Sequence, residues 1–425
     1  MIDRLAGGVL LAAAVPIGLL GGVAALIGGV LLTDNRTAGL AAAALAVLAF
    51  AAYPAARGAR RLASSPRGRR ALAAAVPIGT LALAAVVAWG VFLSPAPATA
   101  VSPDGTRFWD LPTGSRIAYQ HAVAAEPTHA TPVIVVHGGP GSPDRRAATV
   151  ASTLAKAGFD VYSYHQLGAG LSSREEDVGA YTVARHVADL EAIRVMLGVE
   201  RISLVGASWG AQLIASYIAE HPDRVERAVV SSPAPLWAAA YTDATRLTAG
   251  GRLDQQAVLG HHQRFLLAHV LLSALGPGAA SALLPDDQVD GAFEAMVGDL
   301  DMLAGCPGRS AASEPDDPSV GRGFGFWVNA ATTRDARSVP DPRPALRVAD
   351  VPVLVLRGEC DYLAWEVTRE YRDVLPSATL VAVDDAGHVI PADRPDLYGE
   401  LVRAFLLGET APLAPYTADA EPWGR

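Results

Sequence analysis

Three long apolar runs open the chain, at residues 5–32, 38–53 and 71–93, with hardly a polar position inside them. A helix needs about 20 apolar residues to cross a bilayer. The first and third runs meet that length; the second meets it only when residues 54–56 are included. Past residue 105 the pattern changes to short apolar stretches broken by glycine, proline and polar clusters. Strands are predicted at residues 107–109, 116–121, 132–137, 160–164, 202–206, 227–231, 352–357 and 379–383. Helical spacing appears between several of them, at 147–157, 182–197 and 209–220. Strands alternating with helices of this length predict a mostly parallel sheet covered on both faces, with ligand sites beyond the carboxyl ends of the strands.

These patterns divide the chain into an anchor of about three transmembrane helices (1–93), a linker (94–105) and the first part of the α/β core (106–235). An alanine- and leucine-rich helical stretch (236–347) interrupts the alternation and is predicted to cap the sheet's carboxyl edge. The core resumes at 348–409, and the tail "TAPLAPYTADAEPWGR" (410–425) has the composition of a loosely held segment. "LAAAVPIG" occurs twice, at 11–18 and 72–79, and Gly18 with Gly22 forms a small-residue pair suited to helix packing.

Charge sharpens the picture. Residues 1–100 carry two acids and eight arginines, while the remaining residues carry 41 acids and 26 bases. An acidic region of that kind has no charge-driven affinity for nucleic acid. The stretch "RGARRLASSPRGRR" (57–70) holds six arginines and is predicted cytoplasmic by the positive-inside rule. Three spans then put everything after residue 93 outside the cytoplasm, whereas two spans would keep it inside. No charged residue interrupts the apolar runs, so the segment reads as a tether in the cell membrane rather than a transport path.

Chemistry enters with "ISLVGASWGAQLIASYIAEHP" (202–222), a strand, then G-x-S-x-G, then a helix. That context holds a serine on a sharp turn with its hydroxyl exposed, so Ser208 is the candidate nucleophile. A serine attacks when a base takes its proton and an acid orients the base. Of the histidines after Ser208, His221 closes a helix, and His261, His262 and His269 fall in the helical stretch. His388, in "VDDAGHVIP", follows the last strand and is the candidate base. Asp361, just past the strand "PVLVLRGECD", is the candidate acid, two residues beyond Glu359. "VIVVHGGPGSP" (133–143) places Gly138 and Gly139 after a buried-type strand. Their N–H groups, with that of Trp209, suit an oxyanion hole for acyl transfer. His137 reads as a brace of this loop. No cofactor is expected, and no cluster has metal-ligand spacing.

"HGGPG" with "GASWG" resembles the proline iminopeptidase branch of the α/β-hydrolases, across residues 103–407. The resemblance implies an α/β-hydrolase fold with a helical cap and a metal-free serine peptidase acting on short peptides with a free amino terminus. It implies Ser208, Asp361 and His388 as triad, and Gly138 or Gly139 with Trp209 as oxyanion hole. Two departures stand out. The family's D-Q-R-G-x-G-x-S is here "HQLGAGLS" (165–172), so His165 and Leu167 replace an aspartate and an arginine. The family's acidic cap residues, which hold the substrate ammonium, have only general candidates in Asp286, Asp287, Asp290, Glu294, Asp299 and Asp301. A carboxylesterase or lipase-like activity on the same triad is the alternative, and a non-catalytic receptor of this fold a third reading. Cys306 and Cys360 are either a disulfide between cap and core or two free thiols. The sequence leaves the oligomeric state open.

Overall fold

The computed structural model describes residues 2–33, 35–92, 102, 104–143, 147–242, 244, 263–301, 306 and 323–424. They form two compact units: residues 1–96 with 264–289, and residues 97–263 with 290–425.

The first unit is helical. Its three long helices are α1 (Ile2–Thr33), α2 (Arg36–Leu62) and α3 (Pro66–Phe92), each long and apolar enough to cross a membrane. The second apolar run, short on its own, becomes a 27-residue helix because α2 continues through Pro54 to the arginine-rich segment. Asn35 caps it, its side chain accepting the Ala38 N–H at 3.1 Å. Glycine lets α1 and α2 approach closely: a Cβ on Gly29 would lie 2.9 Å from the Gly39 Cα. Two helices from the region expected to cap the sheet, α7 (Gln263–Leu275) and α8 (Pro277–Leu283), belong to this unit. Ala279 and Leu283 are buried against Val30 and Leu26 of α1, and Arg264 donates to the Gly90 carbonyl of α3 at 2.8 Å. The expected cap, 236–347, is therefore divided. Alanine and leucine at helical spacing serve equally well against another apolar helix, and here that helix is α1.

The second unit is built on eight strands, all at the places the alternation predicts: β1 (Arg107–Asp110), β2 (Arg116–Ala122), β3 (Val133–Val136), β4 (Val161–Tyr164), β5 (Ile202–Ala207), β6 (Val225–Ser231), β7 (Val353–Gly358) and β8 (Ala378–Val383). They lie in the order β1-β2-β4-β3-β5-β6-β7-β8. The first two pair antiparallel, and β3 to β8 run parallel. Every residue of β3 and β7 is buried, as strands covered on both faces require. One face packs α4 (Ala147–Lys156) and α14 (Pro395–Leu407) over Leu154, Val205, Leu356, Leu401 and Val402. The helices α5 (Val183–Met196), α6 (Trp209–Glu220), α9 (Asp286–Asp301), α10 (Phe326–Asp335), α11 (Arg343–Leu346), α12 (Trp365–Val374) and α13 (Ile390–Asp393) complete the elements used below.

The tail departs from expectation. Far from loose, it is tied down: the Tyr416 N–H donates to Leu380 of β8, Trp365 donates its indole N–H to the Asp419 carbonyl at 2.9 Å, and Trp423 donates to Asp384 at 2.7 Å. Its polar composition hides these anchors, because the donors that hold it sit largely on α12. Cys306 and Cys360 are joined as a disulfide, their Cα atoms 5.0 Å apart. Within the stretch expected to cap the sheet, His261, His262 and a segment rich in proline, serine and aspartate at 310–319 lie outside the described residues, as does most of the 94–105 linker.

Candidate active site

Adjacent strand registers bring the candidate residues to one edge of the sheet. Ala207 lies beside Ser231, Ser231 beside Leu356, and Gly358 beside Val383. Ser208, Asp361 and His388 thus leave the carboxyl ends of β5, β7 and β8.

The elbow is built as its motif requires. Ser208 adopts φ 54° and ψ −120°, a conformation that costs a non-glycine residue of order 1–3 kcal/mol and clusters at functional sites. Its N–H donates to Ser231 and its carbonyl accepts the Ala234 N–H, each at 3.0 Å, so neighbouring structure holds the strained turn. Gly210 is obligatory, because a Cβ there would collide with the carbonyl oxygen of Val136. Trp209 is the first residue of α6, so its N–H has no acceptor within the helix and points out of its amino end.

Asp361 and His388 meet directly. His388 Nδ1 and Asp361 Oδ1 are 2.7 Å apart, and both side chains are buried. The same oxygen accepts the Leu363 N–H at 3.1 Å, and Oδ2 accepts from Arg357 at 3.0 Å. Burial pushes the Asp361 carboxyl up, but the charges of His388 and Arg357, with these hydrogen bonds, outweigh it and hold the group down at about 2. The carboxylate is therefore ionised and locked. It fixes the His388 tautomer, leaving Nε2 to exchange a proton. The Tyr362 ring packs on His388 with centroids 4.2 Å apart.

The HGGPG loop lies beside the elbow: a Cβ on Gly138 would be 3.4 Å from that of Ser208. Gly139 has φ 111°, which suits glycine, and the Gly139–Pro140 peptide is cis. His137 braces the loop. Its Nε2 accepts the Gln166 N–H at 2.9 Å, which leaves the proton on Nδ1 to donate to the Gly138 carbonyl at 2.9 Å. Burial pulls the His137 imidazole down to about 3, against that hydrogen bond. Burial likewise brings His165 and His186 down to about 4, aided by Arg174 and Arg185 respectively. The loop surroundings are thus free of imidazolium charge at neutral pH. Gln166 also donates to the His137 carbonyl at 2.7 Å and accepts the Trp209 indole N–H at 2.9 Å. One side chain ties the HGGPG loop, the HQLGAGLS loop and the elbow together.

Of the acidic residues in the helical stretch, Asp290 is engaged in bracing. It takes Arg174 at 3.2 Å and caps α10 by accepting the Phe326 N–H at 2.8 Å. Asp287 is exposed, and Asp286 and Glu294 are partly exposed. Among the described residues, no group of three His, Cys, Asp or Glu side chains could hold a metal ion. The residues that motif reading passed over are Gln166, Arg357 and Tyr362. Arg357 left a trace: it is a charge within a strand otherwise apolar up to its closing glycine.

Comparison with known proteins agrees with this architecture. Residues 131–256 match the family model described as the alpha/beta hydrolase fold. A proline iminopeptidase of Lactobacillus delbrueckii subsp. bulgaricus is 37% identical over 133 residues, 30% of this chain and 45% of that protein. The match thus spans a little under half the length of that relative. A protein of Streptomyces coelicolor named a probable proline iminopeptidase is 29% identical over 283 residues, 61% of this chain and 83% of its own. A thermophilic esterase from Thermogutta terrifontis superposes with a TM-score of 0.51 at 18% identity, over 71% of this chain and 98% of that one, a likeness of fold alone.

Proposed function

From an α/β-hydrolase whose core is similar to proline iminopeptidases, we propose a membrane-anchored serine hydrolase that releases amino-terminal residues from short peptides through an acyl-enzyme. The observation that carries the chemistry is the buried Asp361–His388 hydrogen bond, at the sheet edge where Ser208 is held at φ 54°.

In this reading His388 Nε2 takes the proton of the Ser208 hydroxyl as its oxygen attacks the scissile carbonyl. Asp361, ionised, stabilises the imidazolium that forms. The developing oxyanion is met by the Trp209 N–H and by the N–H of Gly138 or Gly139; losing one such donor typically costs about 3 kcal/mol. His388 then gives the proton to the leaving amine as the tetrahedral species collapses. Water, deprotonated by the same imidazole, releases the acyl group and restores Ser208.

The arginine-rich segment between α2 and α3 supports an orientation with that loop inside and the hydrolase unit outside. The Cys306–Cys360 disulfide supports the same side, since such bonds persist in oxidising compartments. One observation favours a second substrate class. Leu167, fully buried, stands where the related enzymes carry an arginine, which removes a charge from a loop beside the site. That departure from the family pattern leaves ester hydrolysis on the same triad as the second reading.

The test is turnover by the full-length protein in detergent, with Ser208→Ala alongside. Serine-dependent cleavage of prolyl and other aminoacyl anilides supports the peptidase. Serine-dependent cleavage of acyl esters alone moves the protein to the esterase reading. Equal signals from both proteins would refute the triad.

A further inference from the structure

Arg357 is fully buried, which a charged side chain tolerates only when it is paired. Its guanidinium lies behind the candidate acid. Nη1 donates to Asp361 Oδ2 at 3.0 Å and to Thr368 Oγ1 at 3.2 Å, and Nη2 donates to the Leu363 carbonyl at 2.7 Å. The tail approaches the same guanidinium at Nη2. Glu421, whose side chain is 7% exposed, brings Oε1 to 3.9 Å from Nη2. The tail is held in that place by Trp365 and Arg372 of α12, which donate to the carbonyls of Asp419 and Ala418.

We infer that the carboxy-terminal segment is part of the catalytic apparatus, with Glu421 acting through Arg357 as a positioning pair for Asp361. This rests on the serine-hydrolase reading. The electrostatics are those of a shared cation. Arg357 faces two carboxylates, Asp361 and Glu421, while His388 faces Asp361 and the Tyr362 ring. With Glu421 in place, the guanidinium charge is divided and Asp361 keeps its strength toward the imidazole. Without it, the full charge of Arg357 bears on Asp361, and the imidazolium of the transition state loses part of its support. Because the interior is of low dielectric, charges at this range act on one another strongly.

The two members of the pair therefore push the pH profile in opposite directions. Glu421→Gln removes a negative charge from the network and moves the acidic limb of kcat/KM to lower pH, by about half a unit, with a several-fold lower kcat. Arg357→Met removes a positive charge and moves the same limb to higher pH. Arg357→Lys, which keeps the charge, leaves the limb near its wild-type place even if thermal stability falls. A merely structural tail would lower the melting temperature in Glu421→Gln and leave the limb unmoved; that result overturns the inference. Should Arg357→Met fail to fold, the isosteric Glu421→Gln decides alone. Ser208→Ala separates the two readings. If it is inactive while neither variant shifts the profile, only the relay is lost. If it retains turnover, the hydrolase reading falls and the relay falls with it.

Discussion

The helical unit and the sheet unit use the same aliphatic residues in opposite ways. In the first, Leu5, Leu20, Leu45 and Val86 are each at least 70% exposed, and the buried positions of α1 and α2 are glycine, alanine, Val30, Val47 and Pro54. In the second, the valines and leucines of β3, β5 and β7 are all buried. The difference suits the two units to different surroundings. Three helices long and apolar enough to cross a membrane, with leucine turned outward and small residues at the buried positions, have the pattern of helices that pack in lipid.

That contrast can be broken most severely by separating the units. Removing residues 1–96 takes away Leu26 and Val30, against which Ala279 and Leu283 are buried. The shortened chain is expected to aggregate or to require detergent, measured by size-exclusion chromatography; a monodisperse soluble product would contradict the assignment of α7 and α8 to the helical unit.

The sheet unit has its own vulnerability, to acid. His137, His165 and His186 are held by burial at about 3, 4 and 4, below their ordinary 6.5. Between those values the unfolded chain binds protons that the folded chain does not, so stability is complete above about 6.5 and is lost as pH falls toward 4. Melting temperature followed from pH 7 to 4 should drop steeply, and His186→Gln should flatten part of the slope. Asp361 works lower on the scale. Its carboxyl, held at about 2 against an ordinary 3.8, contributes stability above about 4 that fades as pH falls through 2.

Smaller effects sharpen the description of the site. Cys306→Ser opens a loop of sequence separation 54, for which chain-entropy arguments give about 4 kcal/mol. The same loss on adding reductant to the wild type, read as a lower denaturation midpoint, would confirm that the bond is formed in the purified protein. Gln166→Ala removes the link between the HGGPG loop and the Trp209 indole, at about 1–3 kcal/mol for the buried groups left unpaired. It should lower kcat more than it raises KM, because what it disturbs is the placement of the proposed oxyanion donors.

How much of this was legible in the sequence follows from what each signal encodes. All eight strands were visible because alternation and turn residues are local properties, and chain order alone carried Ser208, Asp361 and His388 to one edge once the sheet was parallel. Helices α7 and α8 were misplaced because their alanines and leucines name no partner. The tail was misread for a related reason. Its own residues are small and polar, and the groups that hold it, Trp365 and Arg372, lie some fifty residues upstream. Gln166 escaped notice because its role lies in joining three loops that only the folded chain brings together.

If Ser208, His388 and Asp361 act as one catalytic unit, Asp361→Asn must disable it. The substitution keeps the size of the side chain but presents the wrong partner to His388 Nδ1. In the serine-protease template this costs about 10⁴-fold in kcat with the structure intact. A loss of that order is expected against whichever substrate proves serine-dependent, in a protein that still folds. Turnover within a few-fold of wild type would contradict it.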